Sequence, residues 1–319
     1  MTVVKPVIFG ILALVPALAG DSDFNGRWDL TLTGDARGRA WWLEVSGAGT
    51  PNIKGKFVGA PGGQMDVIPE IRISNGELIW VFERNYGYGS KEEREKPRRG
   101  IYKARLTGGK LAGTFGFQGN PILQFTGVRA PEIRDKDDAS WKHGKMIQLF
   151  NGRDLNGWRV AMDGAKLAWS VQTGLLTNSE GAADIVSEEK FWNFELHAEY
   201  RVGPKSNSGI GLRDRYEVQI WEDYGRPVDG HSMGALYSRI VPSQNASLPA
   251  GQWQTMDIRL VGRTVTVTLN GKKIIARKEI EGLTAMAHDG NEAMPGPISL
   301  QGDHGLVEFR ALNVTPLTR

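Results

Sequence analysis

The 319-residue sequence contains no cysteine. That absence excludes disulfides, thiolate zinc sites, a cysteine nucleophile and a lipid-modified N-terminal cysteine. A dominant charge is also lacking, since 39 Lys and Arg stand against 36 Asp and Glu, a formal net charge of +3. Without a basic cluster, no nucleic-acid partner is expected. Histidine is scarce, at five residues, and no His-Glu-x-x-His pair or EF-hand loop occurs. There is no P-loop, and no Gly-x-Gly-x-x-Gly follows a strand, which argues against nucleotide chemistry. No apolar run is long enough for a comfortable membrane span of about 20 residues.

The longest apolar run, Pro6 to Leu18, follows Lys5 and leads into Ala17-Leu18-Ala19, a small-x-small cleavage pattern. Residues 1–19 are therefore expected to be a signal peptide. The product would be exported, periplasmic or extracellular, and without a stable membrane anchor.

What is plentiful is glycine, 41 residues, and tryptophan, 10 residues. Between Phe24 and Arg129, short apolar stretches alternate with turn signals such as Asn75-Gly76 and Thr107-Gly108-Gly109-Lys110. Trp41–Val45, Glu77–Phe82, Gly100–Leu106 and Leu123–Val128 read as strands. This predicts a small antiparallel β domain over 20–130, barrel-like, with a solvated loop from Arg84 to Arg99. Trp41-Trp42 offers an apolar candidate surface, although alternation buries one of the two. Residues 131–141 combine proline with a charge run and read as a linker. From 142 to 319 the pattern is again strand, including Phe194–Val202, Tyr216–Trp221, Thr255–Leu260 and Thr264–Leu269, with a tight turn at Asn270-Gly271. Two packed antiparallel sheets, a jelly roll, are predicted, making the whole chain all-β.

The second domain carries a distinctive series of motifs. In order they are LFNGRDLNGW (149–158), FWNFELHAEYR (191–201), NSGIGLRD (207–214), YEVQIWED (216–223), HSMGALYS (231–238), PAGQWQTMDIRLVGRTVTVTLNG (249–271) and LQGDHGLVEFR (300–310). In this order and spacing the chain resembles the 3-keto-disaccharide hydrolase domain family over residues 145–316. The resemblance implies a concanavalin A-like jelly roll and substrates in which the C3 hydroxyl of a sugar has become a ketone.

The residues themselves point to candidate roles. On Tyr216–Trp221, Val218 and Ile220 belong to a core face, so Glu217, Gln219 and Trp221 share the other. An acid, an amide and an aromatic platform in one row suit a sugar groove. On the next strand back, Ile210 and Leu212 are core, and Arg213 is expected on the groove side with Gly209 and Gly211 leaving room for a ligand. On Phe194–Arg201 the same logic sets Glu199 opposite the core. His231 lies in a Gly- and Pro-bearing loop of the kind that rims such grooves, near Tyr237. Gln301 and His304 sit in the turn after Leu300.

A 3-keto sugar has an acidified C2 proton, so one base can start elimination of the C1 substituent, and water can add back. Glu217 and His231 are the catalytic candidates. Arg213, Gln219, Trp221, Glu199, Tyr237, Gln301 and His304 are the substrate-binding ones. Two other readings are a non-catalytic lectin-like protein and a two-carboxylate glycoside hydrolase. The latter draws on Glu217 and Glu222, at a spacing seen in lectin-like glucanases. Alternation points those two apart, whereas retaining chemistry needs carboxyls about 5–5.5 Å apart. No cofactor is expected and no metal site is evident; scattered Glu, Asp and His leave room for a divalent ion such as Ca²⁺ converging in space. The expected partner is an oligosaccharide or glycoside substrate, and the sequence is silent on oligomeric state.

Overall fold

A computed structural model of the protein describes residues 20–33, 39–59, 64–118 and 120–319. The expected signal peptide lies outside the described residues.

Nine antiparallel strands make up the first sheet among the described residues, and all but one pair of sheet neighbours are consecutive in sequence. The exception is Gly26–Thr33, which pairs with Asn120–Arg129 and brings the two ends of the domain together. The sheet curls around an aromatic core because alternate residues carry rings inward. Trp41, Phe57, Trp80, Tyr102, Phe115 and Phe125 are all buried. Trp80 and Tyr102 stack at 5.2 Å, while Trp41 meets Phe57 edge-on at 5.7 Å. The Arg84–Arg99 stretch connects two strands and holds the exposed four-residue helix Lys91–Arg94, started by a Ser90–Glu93 capping box.

The remaining strands form a jelly-roll β-sandwich. One sheet has five strands, ordered 158–160, 185–191, 296–300, 207–212, 216–221. The other is larger, and Val307–Thr318 is its hub. That strand pairs with Phe194–Val202, Leu175–Asn178, Ile147–Gln148 and Lys142–His143. Strict alternation drives the packing. Phe194, Leu196, Ala198 and Tyr200 are buried, as are Ile210, Leu212, Val218 and Ile220, all within one apolar cluster. Burying each of the Phe, Leu, Ile and Val side chains among them contributes about 1.5–3 kcal/mol.

Residues 130–137 have no strand, yet they are fastened to the sandwich. Asp135 accepts hydrogen bonds from Trp192 Nε1 at 2.7 Å and Asn193 Nδ2 at 2.9 Å. Asp137 is nearly buried between Arg259 and Arg277, 3.0 and 3.2 Å away. A segment predicted only by its polarity is thus a strap held by two carboxylates.

The barrel docks on loops of the sandwich: Ala40 N–H donates to Ala287 O at 2.9 Å, Met65 N–H donates to Ser238 Oγ at 2.7 Å, and Lys56 lies 3.6 Å from Glu281. Both tryptophans expected to offer a surface are buried: Trp41 inside the barrel, and Trp42 within the sandwich's own apolar cluster. Alternation sends them to opposite faces of one strand, and both faces are covered. The Arg239 guanidinium lies 4.4 Å from the Trp42 ring centre, and Gly282 permits the indole to press against its backbone. Buried Asp29 faces Glu292, which accepts from Tyr216 Oη at 2.5 Å and Arg263 at 2.6 Å. Burial first, then the Glu292 charge, pushes the Asp29 carboxyl well above the usual carboxylate range.

Candidate functional site

Where barrel meets sandwich there is a cavity of about 220 Å³. Its floor follows from pairing register. Glu217 stands opposite Gly211, and Gln219 opposite Gly209, on two adjacent antiparallel strands. Glu217, Gln219 and Asn207 all face the cavity, as period-two alternation requires. Tyr237 is brought beside them because its loop runs along the free edge of Tyr216–Trp221. Tyr237 N–H donates to Glu217 O at 3.0 Å, and Gln219 N–H donates to Ala235 O at 2.9 Å. Gln301 and His304 enter from the turn after Gly296–Leu300, and Asp184 from the start of Ile185–Phe191. The barrel supplies Arg39, Trp41 and Gly59.

Gly209 and Gly211, expected to leave room for a ligand, make room for the protein's own side chains, Glu217 and Ser299 respectively. A Cβ at Gly209 would lie 2.5 Å from Glu217 Oε1, so Gly209 makes the space that Glu217 occupies. Gly209→Ala is expected to displace that carboxyl, lowering kcat/KM at least tenfold while costing about 1–3 kcal/mol of stability. Steady-state kinetics beside urea unfolding checks this. An unchanged kcat/KM would mean that the carboxyl's position does not matter.

Electrostatics single out Glu217. Burial, and secondarily the Asp184 charge, raise its carboxyl to about 8, with His304 and Arg39 pulling the other way. His304 is held above the usual imidazole value by its hydrogen bond to Asp303. Tyr237 is raised by burial and by the Glu217 charge. Next to Asp184 sits His288, 2.8 Å from Asp214 and 3.4 Å from Asp184. Burial opposes its protonation, but the two carboxylates prevail and lift it to about 9. An acid at about 8, an imidazole held above its usual value and a phenol make a site equipped for proton transfer.

Three amide oxygens complete the picture. Asn207 Oδ1, Gln219 Oε1 and Gln301 Oε1 are buried, and no protein group among the described residues donates to them. Buried acceptors of this kind are rare in folded proteins. Three around one cavity form a ready set of acceptors for hydroxyl donors.

Of the residues expected from sequence, Glu217, Gln219, Tyr237, Gln301 and His304 line the cavity. His231 does not, but its ring packs edge-on against Tyr237 at 4.9 Å. Trp221 does not line the cavity; it is half-buried, with the Arg226 guanidinium 5.0 Å from its ring centre. Arg213 is a correction. The strand ends at Leu212, and Arg213 and Asp214 turn through φ of 54° and 58°, so plain alternation fails there. The Arg213 side chain donates to Trp192 O at 2.6 Å and stacks on the Trp192 ring instead. Glu199 is also misplaced, because its strand belongs to the other sheet, where it bonds Arg310 on the outer face. Alternation separates the faces of a strand without saying which sheet the strand joins. Glu222 does not line the cavity either; its Oε2 accepts from Lys205 N–H at 3.4 Å. Sequence reasoning missed Asp184, Asn207, Arg39 and Trp41. Among the described residues, no three His, Asp or Glu side chains are grouped to hold a metal ion.

Residues 145–315 match the model of the 3-keto-alpha-glucoside-1,2-lyase-like domain. A 3-keto-disaccharide hydrolase of Bacteroides thetaiotaomicron is 34% identical over a region covering 40% of this chain, and the match spans 57% of that relative's length. A solved Parabacteroides distasonis structure, described as a candidate glycosyl hydrolase, is 26% identical, with 58% of this chain and 94% of that chain covered and a TM-score of 0.48. A Bacillus licheniformis β-glucanase is 12% identical, with 55% and 99% covered and a TM-score of 0.37. By the match across more than half its length, the chain belongs to the 3-keto-alpha-glucoside-1,2-lyase-like domain family.

Proposed function

We propose that the protein is an exported enzyme that cleaves 3-keto-glycosides, 3-keto-disaccharides among them, by proton abstraction at C2. The observation that carries this reading is the buried Glu217 carboxyl, raised to about 8, in a cavity ringed by unpartnered amide oxygens. Ionised Glu217 takes the C2 proton, and the C–H electrons form the enolate whose charge rests on the C3 oxygen. His304, Tyr237 and the amide nitrogens of the three lining amides are the donors available to that oxygen. Collapse of the enolate forms the C1–C2 double bond and expels the C1 oxygen substituent, which leaves with the proton that Glu217 took from C2. Water then adds its hydroxyl to C1 and a proton to C2, giving net hydrolysis. The name of the Bacteroides relative supports the same substrate class. The Lys5-led apolar stretch supports export to the periplasm or beyond.

Asp184 and Glu217 line one cavity, and this pairing favours a second reading, a two-carboxylate glycoside hydrolase. Incubation in D₂O with a 3-keto-glucoside and with its unoxidised parent separates the two. Turnover of the keto sugar alone, with deuterium at C2 of the product, is expected. Turnover of the parent without exchange would establish the second reading, and binding without turnover of either would leave a lectin-like protein.

A further inference from the structure

A second cavity, of about 240 Å³, adjoins the first. Asp184 and Arg39 line both, so the two meet at that pair. Neither reaches the ~300 Å³ at which pockets begin to enclose drug-sized ligands, whereas joined they pass it. One sugar ring would use a single cavity, and a two-ring substrate would use both.

The assignment of rings follows from Glu217, which lines only the first cavity. The ring that loses its C2 proton sits there. The bond that breaks is at C1, the neighbouring carbon, so the departing unit projects from that ring into the adjoining space. The second cavity presents Ala161, Met162, Ala165 and Ala183 for the C–H face of a ring, and charged groups for its hydroxyls. Its boundary is firmly set. Asp184 Oδ1 accepts from Gly302 N–H at 3.0 Å, and its other oxygen lies 3.4 Å from the protonated His288. Arg39 is the only contribution from outside the sandwich to the described lining of this cavity, and it comes from a part of the chain beyond the matched family region.

We infer that the second cavity is the leaving-group subsite, and that the barrel, through Arg39, confers a preference for 3-keto-disaccharides over 3-keto-glycosides with small aglycones. This rests on the reading of Glu217 as the base at C2. The test compares kcat/KM for a 3-keto-disaccharide with that for methyl 3-keto-glucoside, in the wild type, Met162→Trp and Arg39→Ala. Met162→Trp fills the second cavity from a surface loop, and Arg39→Ala removes the barrel's donor. In each variant the disaccharide-to-methyl ratio is expected to fall at least tenfold; Met162→Trp does so chiefly through KM for the disaccharide, while Arg39→Ala, whose side chain also lines the first cavity, lowers the methyl value as well. A general loss of structure would lower both values and leave their ratio in place. Ratios within twofold of the wild type, in enzymes that turn over both substrates, would overturn the inference alone. A wild type inert to both substrates would overturn the reading of the Glu217 site and the inference with it.

Discussion

Replacing Glu217 with Gln is expected to lower kcat/KM on a 3-keto-glycoside by about 10²–10⁴, the usual contribution of a positioned general base. The same substitution is expected to stabilise the fold. In the folded protein Glu217 holds its proton up to about 8, against an ordinary value of 4.5. Between those values the unfolded chain has released a proton that the folded chain retains. Wild-type stability therefore falls as pH rises from about 4.5 to about 8. The isosteric amide carries no such penalty. At pH 8 the variant should exceed the wild type by at most about 5 kcal/mol, and the advantage should vanish near pH 4.5. Thermal melts at the two pH values read this directly. In the wild type, kcat/KM should rise with pH up to about 8, as the base ionises. A Glu217→Gln variant of full activity, or a flat pH profile, would remove Glu217 from the role.

Trp42→Ala is expected to cost about 3–5 kcal/mol, as deletion of a fully buried aromatic does. The reason lies in what the ring touches. It belongs to the barrel by sequence and to the sandwich by packing, and it covers the buried Arg239 guanidinium. Removing it leaves that charge beside an empty space at the contact between the two parts. The unfolding midpoint in urea should drop sharply, and kcat/KM should fall because the adjoining Trp41 lines the cavity. Trp42→Phe should recover much of both. If Trp42→Ala unfolds with the wild-type midpoint, the barrel is not held to the sandwich by this contact.

Much of this architecture is legible in the sequence because period-two alternation is a local property. The faces of Phe194–Val202 and Tyr216–Trp221 follow from the residues alone, and with them the pairing of Glu217 with Gln219. Asn207 was within reach of the same rule, two residues before Gly209. Arg39 and Trp41 were not, since no local pattern tells that a strand near residue 40 will close a cavity around residue 217. Arg213 went astray for a backbone reason, its left-handed turn. Asp184 carries no motif at all, and only the neighbouring His288 and the Gly302 amide reveal why it is held in place.

The position of Val307–Thr318 in its sheet has a consequence for how the protein is made. This strand is the shared neighbour of strands that begin as early as Lys142. During synthesis those earlier strands leave the ribosome without their partner, and none can complete its pairing until residues past 307 have emerged. At about 5–20 residues per second, Phe194–Val202 waits several seconds with one edge uncovered. The barrel faces no such delay, because its closing strand ends at Arg129. The sandwich's larger sheet thus stays open to aggregation for as long as its last strand is missing.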